Sequence, residues 1–220
     1  MKKLVFATFL GELLTVALPS SGLELQRQID AAAAAGGGTV RVGPGEIETG
    51  PLVLKSGVTL ELAKGTTLLA STNLADYAQT HAFILAENAE HVAVVGEGVI
   101  CGRGWAFKEM VDGPGEAQPS EWVPVLLRFS RCRDVRLEDF TFRDGAAWGC
   151  HLRNSDGVVI RRVKVFNHNN DMNDGFDIES RNVLIEDCDV DADDDALVFK
   201  SESDPTFDIY NVEVRNCTLR

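Results

Sequence analysis

Apolar and polar positions along this chain alternate in short bursts, with no long helical stripe after the first few dozen residues. The regular part lies in the second half, where four segments carry apolar residues at relative positions 1, 3, 6 and 8. These are Val135, Leu137, Phe140 and Phe142; Val158, Ile160, Val163 and Val165; Val183, Ile185, Cys188 and Val190; Val212, Val214, Cys217 and Leu219. They begin at 135, 158, 183 and 212, so successive repeats are 23, 25 and 29 residues apart. Alternation at 1 and 3, a slip of one residue, and alternation at 6 and 8 describe two short strands meeting at a bend. Repeats of this length cannot bury an apolar face alone and must stack on their neighbours. The fold this predicts is all-β, a single-stranded right-handed parallel β-helix in which each rung lies about 4.8 Å above the last. Asn182 and Asn211 stand just before two repeats, where stacked turn asparagines form a ladder.

The earlier chain fits the same scheme less regularly. Short strands are expected at Val40–Val42, Leu52–Leu54, Val58–Leu62, Thr67–Leu69, Phe83–Leu85, Val92–Val95 and Val99–Ile100, divided by Gly and Pro. Leu25, Ile29, Ala32 and Ala33 fall at i, i+4, i+7 and i+8, which predicts a capping helix over Leu23–Ala35, ended by Gly36, Gly37 and Gly38. From Gly102 to Pro124 the rhythm breaks into a polar stretch, expected to be a surface insertion walling a groove. The domain expected is therefore a β-helix over residues 23–220. Its last repeat ends without a capping segment, the pattern of a piece cut from a longer protein.

Residues 1–22 admit two readings. Met1, Lys2 and Lys3 before an apolar stretch from Leu4 to Leu18 resemble a secretory leader, which implies a secreted or periplasmic protein. Glu12 interrupts the run, and the alternative is a first strand over Leu13–Leu18, compatible with a cytoplasmic protein.

Composition narrows the function. Lys and Arg number 21 against 34 Asp and Glu, a net charge of −13, which steers the chain away from nucleic acid and from an anionic membrane. An anionic substrate would need a local basic cluster. The five cysteines, Cys101, Cys132, Cys150, Cys188 and Cys217, form no Cys-x-x-Cys pair, which argues against zinc or a disulfide framework. Cys188 and Cys217 occupy the repeat position of Phe140 and Val163 and read as small core residues. No metal or cofactor is expected.

Between Asp171 and Asp195 there are nine Asp and two Glu against one basic residue, Arg181. Asp174 precedes one strand and Asp194 and Asp195 precede the next, about one rung later, which brings the three carboxyl groups within about one strand spacing. Crowded carboxylates repel, so one keeps its proton, and acid–base glycoside hydrolysis needs such a pair of states. The same cluster also reads as solvated turns or a calcium site.

The stretches Asn173-Asp174-Gly175-Phe176-Asp177 and Asp194-Asp195-Ala196-Leu197-Val198-Phe199-Lys200-Ser201 resemble the polygalacturonase family, glycoside hydrolase family 28. The opening from Ile29-Asp30 through Gly36-Gly37-Gly38-Thr39-Val40, Gly50-Pro51-Leu52 and Gly57-Val58-Thr59-Leu60 is similar too. The resemblance covers the chain from about Leu23 onward. It implies a pectin-lyase-like solenoid and an inverting glycosidase of pectic polysaccharide or oligosaccharide. Asp194 matches the general acid, and Asp174 and Asp195 match the residues that position and activate water. The chain departs from the family at Met172 (usually Asn), Asn173 (usually Thr) and Ala196 (usually Cys), and the downstream Gly-His-Gly and Arg-x-Lys motifs are absent.

Four further residues are assigned to substrate binding: His168 in an Asn-rich turn, Asp177 at the end of the first motif, Lys200 and His151. For His151 a packed role competes, and Lys200 either neutralises the acidic cluster or touches a substrate carboxylate. Trp105, Trp122 and Trp148 are candidate sugar platforms. Nine basic residues from Arg128 to Lys164, against five acidic ones, read as a solvated outer face. Two other functions remain open: a calcium-dependent β-helical polysaccharide lyase, and a non-catalytic carbohydrate-binding β-helix.

Overall fold

The computed structural model describes residues 22–108, 123–169, 171–201 and 203–220. The leader reading, the alternative strand at 13–18, most of the 102–124 insertion and Trp122 lie outside the described residues.

The chain winds as a right-handed parallel β-helix. Every strand pairing is parallel, and the strands stack as three faces joined at corners. The repeat read from sequence is the register of the coil. Val135, Val158, Val183 and Val212 are successive partners, as are Leu137, Ile160, Ile185 and Val214. On a second face Ile47, Leu68, Ile100, Phe142, Val165, Val190 and Leu219 form one continuous column. A third face stacks Leu52, Ile84, Leu127, Cys150, Phe176 and Leu197. Along each strand the intervening residues point outward. Aromatics fill the widest part of the interior, with the Phe142 and Phe176 rings edge to face at 5.8 Å. Cys188 is buried, Cys217 is half-buried where the stack ends, and all five cysteines are free.

The expected pairs stay separate strands, but two of them begin earlier than expected and run through a further corner, Cys150–Arg161 and Phe176–Glu186, with the register slipping between Arg153 and Asp156. Buried serines repair the backbone at this corner. Ser155 Oγ accepts from the Cys132 amide and Ser180 Oγ from the Ser155 amide, each at 3.0 Å. Pattern reading missed the strand Gly45–Thr49, which offers one apolar residue, Ile47, and the strand Val125–Ser130 beyond the insertion.

The corners turn through left-handed backbone, a conformation that Asn and Asp tolerate best among residues with a Cβ. Asp134, Gly157, Asn182 and Asn211 share it at the same corner, with φ of 52°, 76°, 54° and 54°. The expected ladder forms there: Asn211 Nδ2 donates to Asn182 Oδ1 at 2.8 Å, and Asn182 Nδ2 to Asp156 Oδ1 at 2.7 Å.

The helix spans Gly22–Ala34, with Leu25 and Ile29 fully buried over the first rung. Gln26 completes the cap, because its amide accepts from the Val53 N–H at 2.8 Å and donates to the Val53 carbonyl at 3.1 Å. An edge strand thereby loses its open groups. Gly36 and Gly37, at φ of 92° and 119°, close the helix.

Candidate active site

Two turns on successive rungs carry the aspartates. Asp174 lies before the strand Phe176–Glu186, and Asp194 and Asp195 before the strand Leu197–Phe199. Phe176 pairs with Leu197, and the amides of Gly175 and Phe176 donate to the carbonyls of Asp195 and Ala196 at 2.8 and 3.1 Å. The turns are therefore adjacent, as the 20-residue separation suggests. Asp194 and Asp195 sit in a bend and not on a regular strand, which removes the alternation that would send them to opposite faces.

Buried amides hold this arrangement. Asn167 Nδ2 donates to the Asp174 carbonyl at 2.8 Å and to that of Ala147 at 3.2 Å, while its Oδ1 accepts from the Gly145 amide. Asn173 Nδ2 donates to the carbonyls of Gly145 and Ala147, both at 2.9 Å. Neither amide's anchoring role was visible from the sequence.

Asp174 and Asp177 are buried at 1% and 0% exposure, whereas Asp194 and Asp195 are exposed. Lys200 Nζ reaches between the buried pair, 3.0 Å from Asp174 Oδ2 and 3.1 Å from Asp177 Oδ1. It also lies over the Trp148 ring at 3.8 Å. Lys200 thus pairs with two carboxylates of the acidic cluster. Desolvation and then the hydrogen bond and charge of Asp174 push the Asp177 carboxyl far up, with Lys200 opposing. Partial desolvation, followed by the charges of Asp174 and Asp195, raises Asp194, again against Lys200. Lys200 itself is held above its ordinary value: burial is the largest influence and lowers it, but Asp177 and Asp174 together outweigh it.

His151 is 5% exposed, edge-on to Trp148, with Nε2 3.4 Å from Glu179 Oε2 and Asp177 as its register partner on the next strand. Burial lowers its pKa. His168 lies on another face against Phe166, its nitrogens 2.6 Å from Asp193 Oδ1 and 3.1 Å from Asp191 Oδ1. Its burial opposes protonation, but the two carboxylates prevail and raise its pKa. The exposed Trp105 sits in a short 3₁₀ turn, Gly104–Phe107, and of the two described tryptophans Trp148 is the one that lies against Lys200 beside the aspartates. No three His, Cys, Asp or Glu side chains converge on a metal position among the described residues. None of their helices is long and apolar enough to cross a membrane.

A right-handed, pectin-lyase-like parallel β-helix with clustered carboxylates on adjacent turns defines the class. Residues 35–220 match the profile of Glycosyl hydrolases family 28, and the chain belongs to that family. It is 25% identical to an exo-poly-α-D-galacturonosidase of Dickeya chrysanthemi over 234 aligned positions, covering 80% of this chain and 38% of that protein. Among solved structures it superposes on an exopolygalacturonase from Thermotoga maritima with a TM-score of 0.76 and 25% identity, covering 89% of this chain and 55% of that one. A polygalacturonase from Erwinia carotovora matches in fold, with a TM-score of 0.76 and 20% identity over 92% and 64% of the two chains. The chain thus spans well under two thirds of its curated relative.

Proposed function

We propose that the protein hydrolyses glycosidic bonds in pectic polysaccharide or its oligosaccharides by an inverting acid–base mechanism. The observation that carries this reading is the placement of Asp194 and Asp195 on the turn next to that of Asp174, a crowding that, with partial burial, raises the Asp194 carboxyl. A carboxyl that keeps its proton above the ordinary carboxylate range is suited to general acid catalysis. In the proposal Asp194 gives its proton to the glycosidic oxygen as the bond to the anomeric carbon breaks. Water attacks that carbon from the opposite side and loses its proton to the carboxylates of Asp174 and Asp195. Lys200 and Asp177 touch Asp174 and hold its charge and orientation, and His151, the register partner of Asp177, packs beside them. A pectic polymer is met outside the cytoplasm, so export belongs to the same reading.

Reducing-end release from polygalacturonate tests this, with Asp194→Asn as control and ultraviolet absorbance read alongside. Release that disappears in the variant, without an unsaturated product, is the expected result. An unsaturated product and dependence on calcium would establish the lyase instead, and sugar binding with no turnover would leave a binding module. Proton NMR of the first-formed anomer reports inversion or retention.

A further inference from the structure

His168 follows the strand Lys164–Asn167, one rung before the turn that carries Asp194 and Asp195. That strand pairs with Asp189–Ala192, Lys164 opposite Asp189 and Phe166 opposite Asp191, so position 168 falls opposite position 193. The ring bridges the two outward carboxylates. Its Nδ1 lies 2.6 Å from Asp193 Oδ1 and its Nε2 3.1 Å from Asp191 Oδ1. Asp191 belongs to the strand and Asp193 to the bend that follows, so the ring spans the point where strand becomes turn. The backbone is tied at the same point, because the Asp193 amide donates to the Asn167 carbonyl at 3.0 Å. Asn167 also holds the Asp174 carbonyl through its Nδ2 at 2.8 Å. Two adjacent residues thus fasten both turns, Asn167 that of Asp174 and His168 that of Asp194.

A charged ring is needed to hold both carboxylates. Imidazolium has two N–H donors, whereas neutral imidazole has one and would turn a lone pair on the other carboxylate. Burial opposes the charge on His168, but Asp193 and Asp191 outweigh it and raise its pKa. The neighbouring cations are engaged elsewhere. Arg220 donates to Asp191 Oδ2 at 3.4 Å and to Asp189 at 2.9 Å, leaving Asp191 Oδ1 to the ring. Arg143, the register partner of Phe166 on the rung behind, pairs with Asp144, and Lys164 lies at the start of the strand. The Phe166 ring packs against the imidazole at 4.4 Å. With both nitrogens on carboxylates of the chain, His168 has no donor left for a sugar hydroxyl.

We infer that His168 is a positioning residue for the proposed general acid: its imidazolium clamps Asp191 to Asp193 and so fixes the turn on which Asp194 faces Asp174. The inference rests on the hydrolase reading and goes beyond it, giving His168 a supporting role in place of the substrate contact expected from sequence. The clamp is complete below the ordinary histidine pKa of 6.5 and is lost as pH rises through the raised folded value.

Carbon-13 NMR titration of the Asp194 carboxyl, assigned by its absence in Asp194→Asn, tests the clamp without turnover. Removing a positive charge alone would raise the Asp194 midpoint. Opening the turn does the opposite, because it returns Asp194 to water and takes it from Asp174, the two largest influences raising its carboxyl. His168→Leu is expected to lower the midpoint toward the ordinary value. His168→Arg, which keeps the charge and two donors, is expected to restore it and guards against a folding artefact. On polygalacturonate the Leu variant should lose kcat about ten- to hundredfold with KM unchanged, and the Arg variant should recover most of it. An Asp194 midpoint that stays fixed or rises in His168→Leu, or a raised KM at unchanged kcat, would overturn the clamp. Cleavage of polygalacturonate with the Asp194 midpoint indifferent to His168 would remove the clamp and leave the hydrolase. A midpoint lowered in His168→Leu and restored in His168→Arg, with no cleavage by the unmutated protein, would do the reverse.

Discussion

The amide of Gly175 donates to the carbonyl of Asp195 at 2.8 Å, and this bond sets the spacing between the turns that carry the candidate acid and base. The approach is possible because residue 175 has no side chain. A Cβ there would meet the Ala196 carbonyl at 2.4 Å and Val190 Cγ1 at 2.5 Å. Gly175→Ala should therefore force the turns apart. Stability is expected to fall by about 1–3 kcal/mol, and turnover by about a hundredfold through misplacement of the carboxyl groups. Urea titration read beside kcat checks both.

Asp194→Asn removes the proposed acid without changing shape. Turnover should drop by about two to four orders of magnitude while oligosaccharide binding is retained. Loss of binding in parallel with turnover would argue against an acid role.

Lys200 opposes the rise of the Asp194 pKa. Removing its charge in Lys200→Met should let Asp194 keep its proton to higher pH. The alkaline limb of kcat/KM is then expected to move upward, on top of any loss in rate. A limb that stays fixed or moves down would detach Lys200 from the acid.

Asp177 gives a stability signature. Its folded pKa is raised, so its contribution is fully present below the ordinary carboxylate pKa of about 4 and is lost as pH rises through the folded value. Asp177→Asn stays neutral throughout. The variant should therefore gain stability relative to the unmutated protein as pH rises from 4 to 9. Melting temperatures at several pH values check this, and parallel curves would contradict it.

Asn182 combines a ladder and a left-handed backbone. Asn182→Gly should cost about 1 kcal/mol for the lost side-chain hydrogen bonds, and Asn182→Ala about 1–2 kcal/mol more because a Cβ is strained at that φ. Equal losses in urea would show that the backbone conformation contributes little.

The sequence by itself determined the coil. Val135, Val158, Val183 and Val212 appear in the chain at the spacing at which they stack, because strand alternation and the bend are local and each rung repeats the same demand. It also determined which aspartates meet, since one turn of coil converts a 20-residue separation into adjacency. Glu179 and Trp148 carry no such signal. Whether an outward residue is solvated or recessed depends on what neighbouring rungs and loops place over it. Only the tertiary structure decided that Lys200 pairs with Asp174 and Asp177, that Asn167 and Asn173 pin the turn of Asp174, and that His168 belongs to Asp191 and Asp193. Those contacts join segments whose relative positions depend on the register of the whole coil, which no single stretch of sequence contains.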